Sequence, residues 1–259
     1  MANLFKTRSK HHRIYVEEKG NRVILKFNNM VQTAVGIDES CVSYLAYINY
    51  LHLPLALKPD AEQVLIIGLG GGALPRRMLR DYPGMQLEVV EIDPVVVDVA
   101  RRYFNLPQDP RLSVIVADGR EYLASASRVY DLIISDAFQA DSIPTQLTDE
   151  AFFRQVKLRL RPDGVLAYNV VSALQGSESA VFKSIYQNIS AVWRSTYVFP
   201  VGISRYHDPE SVRNIILLAT DCQVPAETLK EMVENRAEGR VSIPGFPEFA
   251  QDLYRGRVC

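Results

Sequence analysis

The sequence predicts a doubly wound α/β domain preceded by a small N-terminal β-hairpin element. Three observations predict it. From Gln63 onward, five runs rich in Val, Ile and Leu alternate with stretches of helical character. The first run passes straight into a loop containing Gly68, Gly70, Gly71 and Gly72, and acidic residues (Glu91, Asp118, Asp136) stand at the ends of three later runs. Strands that are apolar at consecutive rather than alternate positions are buried on both faces, as in a parallel sheet between two layers of helices.

The hairpin comes first. Ile14-Tyr15-Val16-Glu17 and Arg22-Val23-Ile24-Leu25-Lys26-Phe27 have strand composition, and Lys19-Gly20-Asn21 supplies the turn between them. Ahead of them Lys6, Arg8, Lys10, His11, His12 and Arg13 form a basic arm, expected to be a solvated terminus, with contact to an acidic partner or RNA as the alternative. Residues 40–57, rich in Tyr, Leu and Ala, are expected to form one helix ending at Pro59. Tyr44, Tyr47, Ile48 and Leu51 have helical spacing there, fitting either core packing or a wall over a bound ligand. Residues 1–57 thus form the N-terminal element and 58–259 the α/β domain.

In that domain the strands are expected at Val64–Ile67, Leu87–Ile92, Leu112–Ala117, Leu132–Ser135 and Val165–Val171. Helical character falls at Pro75–Tyr82, Pro94–Phe104, Asp149–Leu160 and Ser177–Trp193. Thr196–Val201 and Asn214–Ala219 extend the sheet, antiparallel at an edge. One amphipathic helix follows Ala226, and then a segment with Pro and Gly. Trp193 reads as core, and His207 as a loop residue.

Composition narrows the function classes. With 47% hydrophobic and 23% charged residues over 259 positions, the chain is neither disordered, collagenous nor a coiled coil. Its 29 Lys and Arg against 30 Asp and Glu leave a net charge of -1, so nothing global calls for nucleic acid or an anionic membrane. No apolar run approaches the roughly 20 residues that span a bilayer. The start MANLFKTRSKHHR has no apolar signal stretch, and the expected compartment is the cytoplasm. Cys41, Cys222 and Cys259, odd in number and far apart, suggest neither a disulfide framework nor a zinc site. No His/Cys/Asp cluster has metal spacing, and no Ser or Cys sits in a nucleophile elbow.

The chemistry is carried by the glycine loop and the strand ends. In Gly68-Leu69-Gly70-Gly71-Gly72-Ala73-Leu74-Pro75 the glycines permit a tight strand-to-helix turn and close approach of a ligand, while Pro75 suits the first helical turn. The pattern satisfies both G-x-G-x-x-A of dinucleotide sites and G-x-G-x-G of sulfonium-nucleoside sites. Glu91 closes the second strand, about 20 residues on, where a carboxylate accepts hydrogen bonds from ribose hydroxyls. Asp93 is placed as a helix N-cap before Pro94. Asp118, before Gly119, either accepts from an adenine amino group or caps the helix beginning there. Asp136 closes the fourth strand, at the end of the sheet where open α/β folds bind ligands. Three converging carboxylates would repel a pyrophosphate. They suit a cationic sulfonium nucleoside and an amine acceptor, so a sulfonium nucleoside is favoured. Arg76 and Arg77 oppose the dipole of the first helix, and either point outward or hold an anion.

These residues resemble the spermidine synthase (polyamine aminopropyltransferase) family, built on the class I S-adenosylmethionine methyltransferase fold. The resemblance runs from about Tyr15 to Ala219. It includes Val31-Gln32-Thr33, Asp38-Glu39 and His52-Leu53-Pro54-Leu55 ahead of the glycine loop, then Val90-Glu91-Ile92-Asp93 and Ala117-Asp118-Gly119. Tyr130-Asp131-Leu132-Ile133-Ile134-Ser135-Asp136, Asp149-Glu150-Ala151-Phe152-Phe153 and Leu160-Arg161-Pro162-Asp163-Gly164-Val165 complete it. The resemblance implies that Gly68, Gly70, Gly71, Gly72, Glu91, Asp118 and Gly119 bind the nucleoside and that Asp136 deprotonates the attacking amine. It also implies S-adenosylmethionine or its decarboxylated form as co-substrate, no metal, and a homodimer through the N-terminal element.

The sequence departs from the family at the acceptor side. Gly71 stands where the family pattern G-G-G-D-G has Asp, and Gln139 where D-S-x-D-P has its second Asp, with Asp141 as a possible substitute. No Tyr-His/Gln-Glu segment is recognisable, although Tyr44 and Tyr47 lie nearby, and Tyr47, Gln139 and Asp141 are the acceptor-binding candidates. The loop variant is similar to that of spermidine-synthase-like protein methyltransferases. Two reactions stay open: aminopropyl transfer from decarboxylated S-adenosylmethionine to a polyamine, and methyl transfer from S-adenosylmethionine to a small-molecule or protein amine.

Overall fold

A computed structural model of the chain describes residues 2–37, 43–138, 143–256 and 258. The described residues form two sheets. The first is antiparallel, in the order β1 (Ala2–Arg8), β2 (Arg13–Glu18), β3 (Arg22–Phe27) and β4 (Met30–Gly36). The expected hairpin is β2 and β3, closed by Lys19 N donating to Arg22 O at 3.0 Å with Gly20 at φ 59°. The basic arm is not a loose terminus. It pairs with β2 as an edge strand, and Ser9–His12 turns the chain back, with Ser9 N donating to His12 O at 2.9 Å.

The single helix expected over 40–57 is instead two one-turn helices, α1 (Tyr47–Tyr50) and α2 (Pro54–Leu57). Pro54 has no N–H to give the carbonyl of Tyr50, so a helix cannot run through it. His52 and Leu53 bridge the gap with donations to the carbonyls of Asn49 and Tyr50.

The remaining chain builds the α/β domain. In order come β5 (Gln63–Ile67), α3 (Ala73–Asp81), β6 (Gln86–Glu91), α4 (Pro94–Tyr103), β7 (Leu112–Val116), α5 (Gly119–Ser125), β8 (Tyr130–Ser135), α6 (Glu150–Arg159) and β9 (Leu160–Ser172). They are followed by α7 (Ala180–Ser190), β10 (Ser195–Pro200), α8 (Ile203–Tyr206), β11 (Arg213–Thr220) and α9 (Ala226–Glu234). The seven strands lie in the order β10-β11-β9-β8-β5-β6-β7, with β9, β8, β5, β6 and β7 mutually parallel. The two late strands do extend the sheet. Together they form one edge of it, with β10 outermost and β11 antiparallel to both β10 and β9.

Period-two alternation assigns the strand residues to two cores. Val64 and Ile66 face one layer, containing Leu74, Met78 and Leu229, while Leu65 and Ile67 face another, containing Phe152, Phe153, Phe182 and Trp193. A third core joins the small sheet to the large domain: Ile14, Val16, Leu25 and Phe27 pack on Val96, Val99 and Phe104 at α4 and Ala73 at α3. Each such side chain, wholly withdrawn from water, contributes roughly 1.5–3 kcal/mol. Arg76 and Arg77 are buried as well. Arg76 Nη1 donates to Phe104 O at 2.7 Å and Arg77 pairs with Asp81, so they brace α3, and neither lines the cavity described below.

Asp131 ties three strands together. It is 1% exposed at the start of β8, and Oδ2 accepts from Glu62 N and Gln63 N (3.0 and 2.8 Å) while Oδ1 accepts from Arg161 Nη1 (2.6 Å). Burial pushes its pKa up, but the N–H groups of Gln63 and Glu62 and the Arg161 guanidinium outweigh this, and the pKa lies below the ordinary value. The associated stability is therefore full above pH 4 and lost as pH falls through the depressed pKa. Asp131→Ala removes the shared acceptor of two part-buried N–H groups at the entry to β5 and leaves Arg161 without its carboxylate partner. Urea denaturation at pH 7 is expected to register a loss of about 3 kcal/mol.

Candidate active site

The strand order reverses between β5 and β8, and ligands of open α/β sheets bind beyond the carboxyl ends of the strands at such a point. Here the strand ends are joined by backbone hydrogen bonds. Gly68 N donates to Val90 O (2.8 Å), Ala117 N to Glu91 O (3.1 Å) and Asp136 N to Ile67 O (2.9 Å). Register alone therefore delivers Glu91, Asp118 and Asp136 to one rim. Over that rim lies a cavity of about 360 Å³, floored by Ile67–Gly70, walled by Glu91, Asp118 and Asp136, and closed by Tyr47 and the small sheet.

The glycines divide by task. Gly68 (φ 98°) leaves no room for a side chain, because a Cβ would stand 2.4 Å from the carbonyl oxygen of Asp136. Gly70 (φ 53°) lines the cavity. Gly71 does not: its N–H donates to Thr33 Oγ1 at 2.9 Å, and a Cβ there would lie 2.7 Å from Thr33 Cγ2. Gly72 (φ 75°) starts α3 and faces Leu106, also away from the cavity. Gly119 lines it, and a Cβ there would meet Ile67 Cγ2 at 2.6 Å.

Glu91 is buried and holds the loop in shape. Oε2 accepts from Leu69 N at 2.9 Å and Oε1 from Asp93 N at 3.0 Å. Burial pushes its pKa above the ordinary value although these N–H groups pull it back. Each oxygen keeps a lone pair for a ligand hydroxyl. Asp93 is the N-cap expected, accepting from Val95 N at 3.0 Å, and Ser9 Oγ also donates to it. Asp118 is the helix cap expected as one alternative, and it also lines the cavity. Oδ1 caps α5 through Arg120 N (2.8 Å), Oδ2 accepts from Gln146 Nε2 (3.1 Å), and the residue still faces the cavity.

Asp136 sits at the wall between the large sheet and α1. Oδ1 accepts from Asn169 Nδ2 at 2.8 Å and Oδ2 from Tyr47 Oη at 3.3 Å. Burial raises its pKa to about 7, even though both donors favour the ionised form. Tyr47 itself is driven further up by burial and by the neighbouring carboxylate, so it stays a donor. Of its helical stripe, Ile48 and Leu51 are core, whereas Tyr44 is exposed under the Arg22 guanidinium, 3.8 Å from its ring centroid. Gln139 and Asp141 lie outside the described residues. Among the described residues no group of three or more His, Cys, Asp or Glu is arranged to hold a metal ion.

The cavity also recruits residues that the sequence did not place at the site: Lys10, His11 and His12 of the basic arm, Gln32 and Thr33 from β4, and Gln146. His12 stacks on Phe27, with centroids 4.1 Å apart, and burial lowers its pKa, so its imidazole is neutral at pH 7. Asn169 is the clearest omission. A lone amide inside the apolar run Val165–Val171 was a legible signal for a polar task.

The family model described as "Spermine/spermidine synthase domain" matches residues 45–208, more than half of the chain. The chain belongs to this family. It is 36% identical over 148 residues to the polyamine aminopropyltransferase of Vibrio vulnificus (strain CMCP6), covering 55% of this chain and 50% of that protein. It is 33% identical over 171 residues to putrescine N-methyltransferase 2 of Nicotiana attenuata, covering 60% of this chain and 45% of that one. This family member thus spans about half the length of the curated relatives it matches. A crystal structure of a probable spermidine synthase from Corynebacterium glutamicum ATCC 13032 superposes with a TM-score of 0.76 at 18% identity, over 98% of this chain and 97% of that one, a likeness of fold.

Gly68→Ala tests the joint between loop and strand end. Added strain at a positive φ and the collision with the Asp136 carbonyl are expected to cost about 3 kcal/mol, read by chemical denaturation.

Proposed function

We propose that the cavity binds a sulfonium nucleoside and directs its alkyl group onto an amine, with decarboxylated S-adenosylmethionine as donor and a polyamine as acceptor. The observation that carries this reading is Asp136: a carboxylate at the cavity wall, next to the glycine loop, with its pKa raised to about 7 by burial. An amine attacks only as the free base, and an alkylammonium has a pKa near 10.4. A buried carboxylate takes its proton more readily than an ordinary one. Glu91 would accept from the ribose hydroxyls and Asp118 from the adenine amino group, with Gly68, Gly70 and Gly119 giving the nucleoside close approach. Gly71 and Gly72 would act indirectly, by fixing the loop.

The step balances without a metal or redox partner. The amine lone pair forms a bond to the propyl carbon beside sulfur. The carbon–sulfur bond breaks with its electrons passing to sulfur, methylthioadenosine leaves as a neutral thioether, and the ammonium proton goes to Asp136. Since the sulfonium is already a good leaving group, alignment and proton removal are what the protein adds.

Methyl transfer from intact S-adenosylmethionine is the second reading, and Gly71 favours it. Thr33 fills the space in which the family pattern places an Asp, so no acidic side chain stands at that loop position to repel a donor carboxylate or anchor an ammonium. A putrescine N-methyltransferase is among the relatives. The acceptor would then be a small-molecule or protein amine. Gln139, Asp141 and Tyr47 remain the acceptor-binding candidates under either reading. A cytoplasmic location and a homodimer through the small sheet complete the proposal. No described helix is long and apolar enough to cross a membrane.

Calorimetry of S-adenosylmethionine and its decarboxylated form, side by side, separates the readings. Tighter binding of the decarboxylated form is expected for aminopropyl transfer and tighter binding of the intact form for methyl transfer, while binding of neither defeats both. Asp136→Asn is expected to abolish turnover and leave nucleoside affinity within a few fold. Full turnover in that variant removes Asp136 from the mechanism. In the wild type, kcat/KM is expected to rise with pH through about 7 as Asp136 ionises.

A further inference from the structure

Two side chains hold the Asp136 carboxylate. Tyr47 reaches it from α1, and Asn169 from β9. Asn169 is itself held: Asn214 Nδ2, on β11, donates to Asn169 Oδ1 at 3.1 Å. The pairing register explains how the two amides meet. Asn169 lies opposite Ile216 and Asn214 opposite Val171, so the two side chains are diagonal neighbours on one face of the antiparallel pair.

A side-chain amide is nearly symmetric in shape, and only its partners decide which end is oxygen. Turned over, Asn169 would set its oxygen against the carboxylate of Asp136 and its NH₂ against the NH₂ of Asn214, two repulsive contacts in place of two hydrogen bonds. Asn169 is 2% exposed, so water does not relieve either contact. We infer that Asn169, with its amide locked by Asn214, is a positioning residue that fixes the Asp136 carboxylate and keeps a donor on it. The inference rests on the reading of Asp136 as the base and adds to it the residues that set its state.

The titratable group in contact with Asp136 is Tyr47. Across the cavity stand Glu91, Asp118, Lys10, His11 and His12, while β9 and β11 present uncharged amides. A donor to the ionised carboxylate favours that form. Loss of the Asn169 donor therefore moves ionisation to higher pH.

The test uses the full chain labelled with ¹³C at aspartate carboxyls, with the Asp136 signal assigned by its disappearance in Asp136→Asn. Asn169→Leu is expected to move the Asp136 titration midpoint upward by about one pH unit. Asn214→Leu, at a residue that does not line the cavity, is expected to move it the same way by a smaller amount. Turnover of putrescine with decarboxylated S-adenosylmethionine is expected to fall roughly tenfold below the midpoint in Asn169→Leu and to recover within a few fold two units above it. An unmoved midpoint in either folded variant overturns the inference, and so does a loss of kcat that is equal at all pH. Should Asn169→Leu fail to fold, Asn214→Leu still decides. A shifted midpoint in a protein that turns over no amine leaves the positioning role standing and defeats the functional reading instead.

Discussion

The site depends on one close approach. At the reversal of strand order, the turn leaving β5 and the end of β8 lie so near each other that Gly68 admits no Cβ beside the Asp136 carbonyl, and the Asp136 N–H closes onto Ile67. This joint sets the height of the carboxylate above the glycine loop. It is a backbone constraint, made of parts that cannot rotate away, and the side chains around it inherit their positions. Glu91 then binds the loop from the other side through Leu69 N. The floor of the cavity is consequently braced at both ends before any ligand enters.

The small sheet changes the electrostatics of that floor. With Phe27, His12 and Thr33 packed over the loop and Tyr47 closing the far side, Asp136 and Glu91 are shielded from water, and both pKa values rise for that reason. The same carboxylates on an uncovered sheet end would titrate as ordinary acids. A bound cationic nucleoside works against the shift, because an opposite charge in a dry site favours ionisation. Under the proposed reading, arriving positive charge lowers the Asp136 pKa from its raised value in the empty site.

Much of this was readable in the residues. Consecutive apolar positions identified the parallel strands, and Glu91, Asp118 and Asp136 were placed by standing where those strands end. Asp93 before Pro94 is the cap that its sequence context indicates. What escaped was long-range. The arm ending at His12 looked like a charged terminus because strand pairing to β2 and the hydrogen bond from Ser9 to Asp93 have no local signature. The helix over 40–57 broke because one missing N–H at Pro54 outweighed good helix formers on either side. Asn169 was visible as an anomaly, but its purpose needed the register that brings β11 beside β9. Gly71 and Gly72 were grouped with the ligand-facing glycines, whereas contacts with Thr33 and Leu106 give them the task of shaping the turn.

The hydrogen bonds that close the cavity span long stretches of chain: Ser9 to Asp93 is separated by 84 positions and Tyr47 to Asp136 by 89. The strand-end joint beneath them belongs to the packed interior of the sheet. Loop-closure entropy opposes contacts so distant in sequence, so packing has to hold them. The roof of the cavity is fastened by the third core, where Ile14, Val16, Leu25 and Phe27 pack on Val96, Val99 and Phe104. The shape of the cavity therefore depends on apolar packing that lies mostly outside it, and a change at Ile14, Val16 or Leu25 would reach the site without altering any residue that lines it.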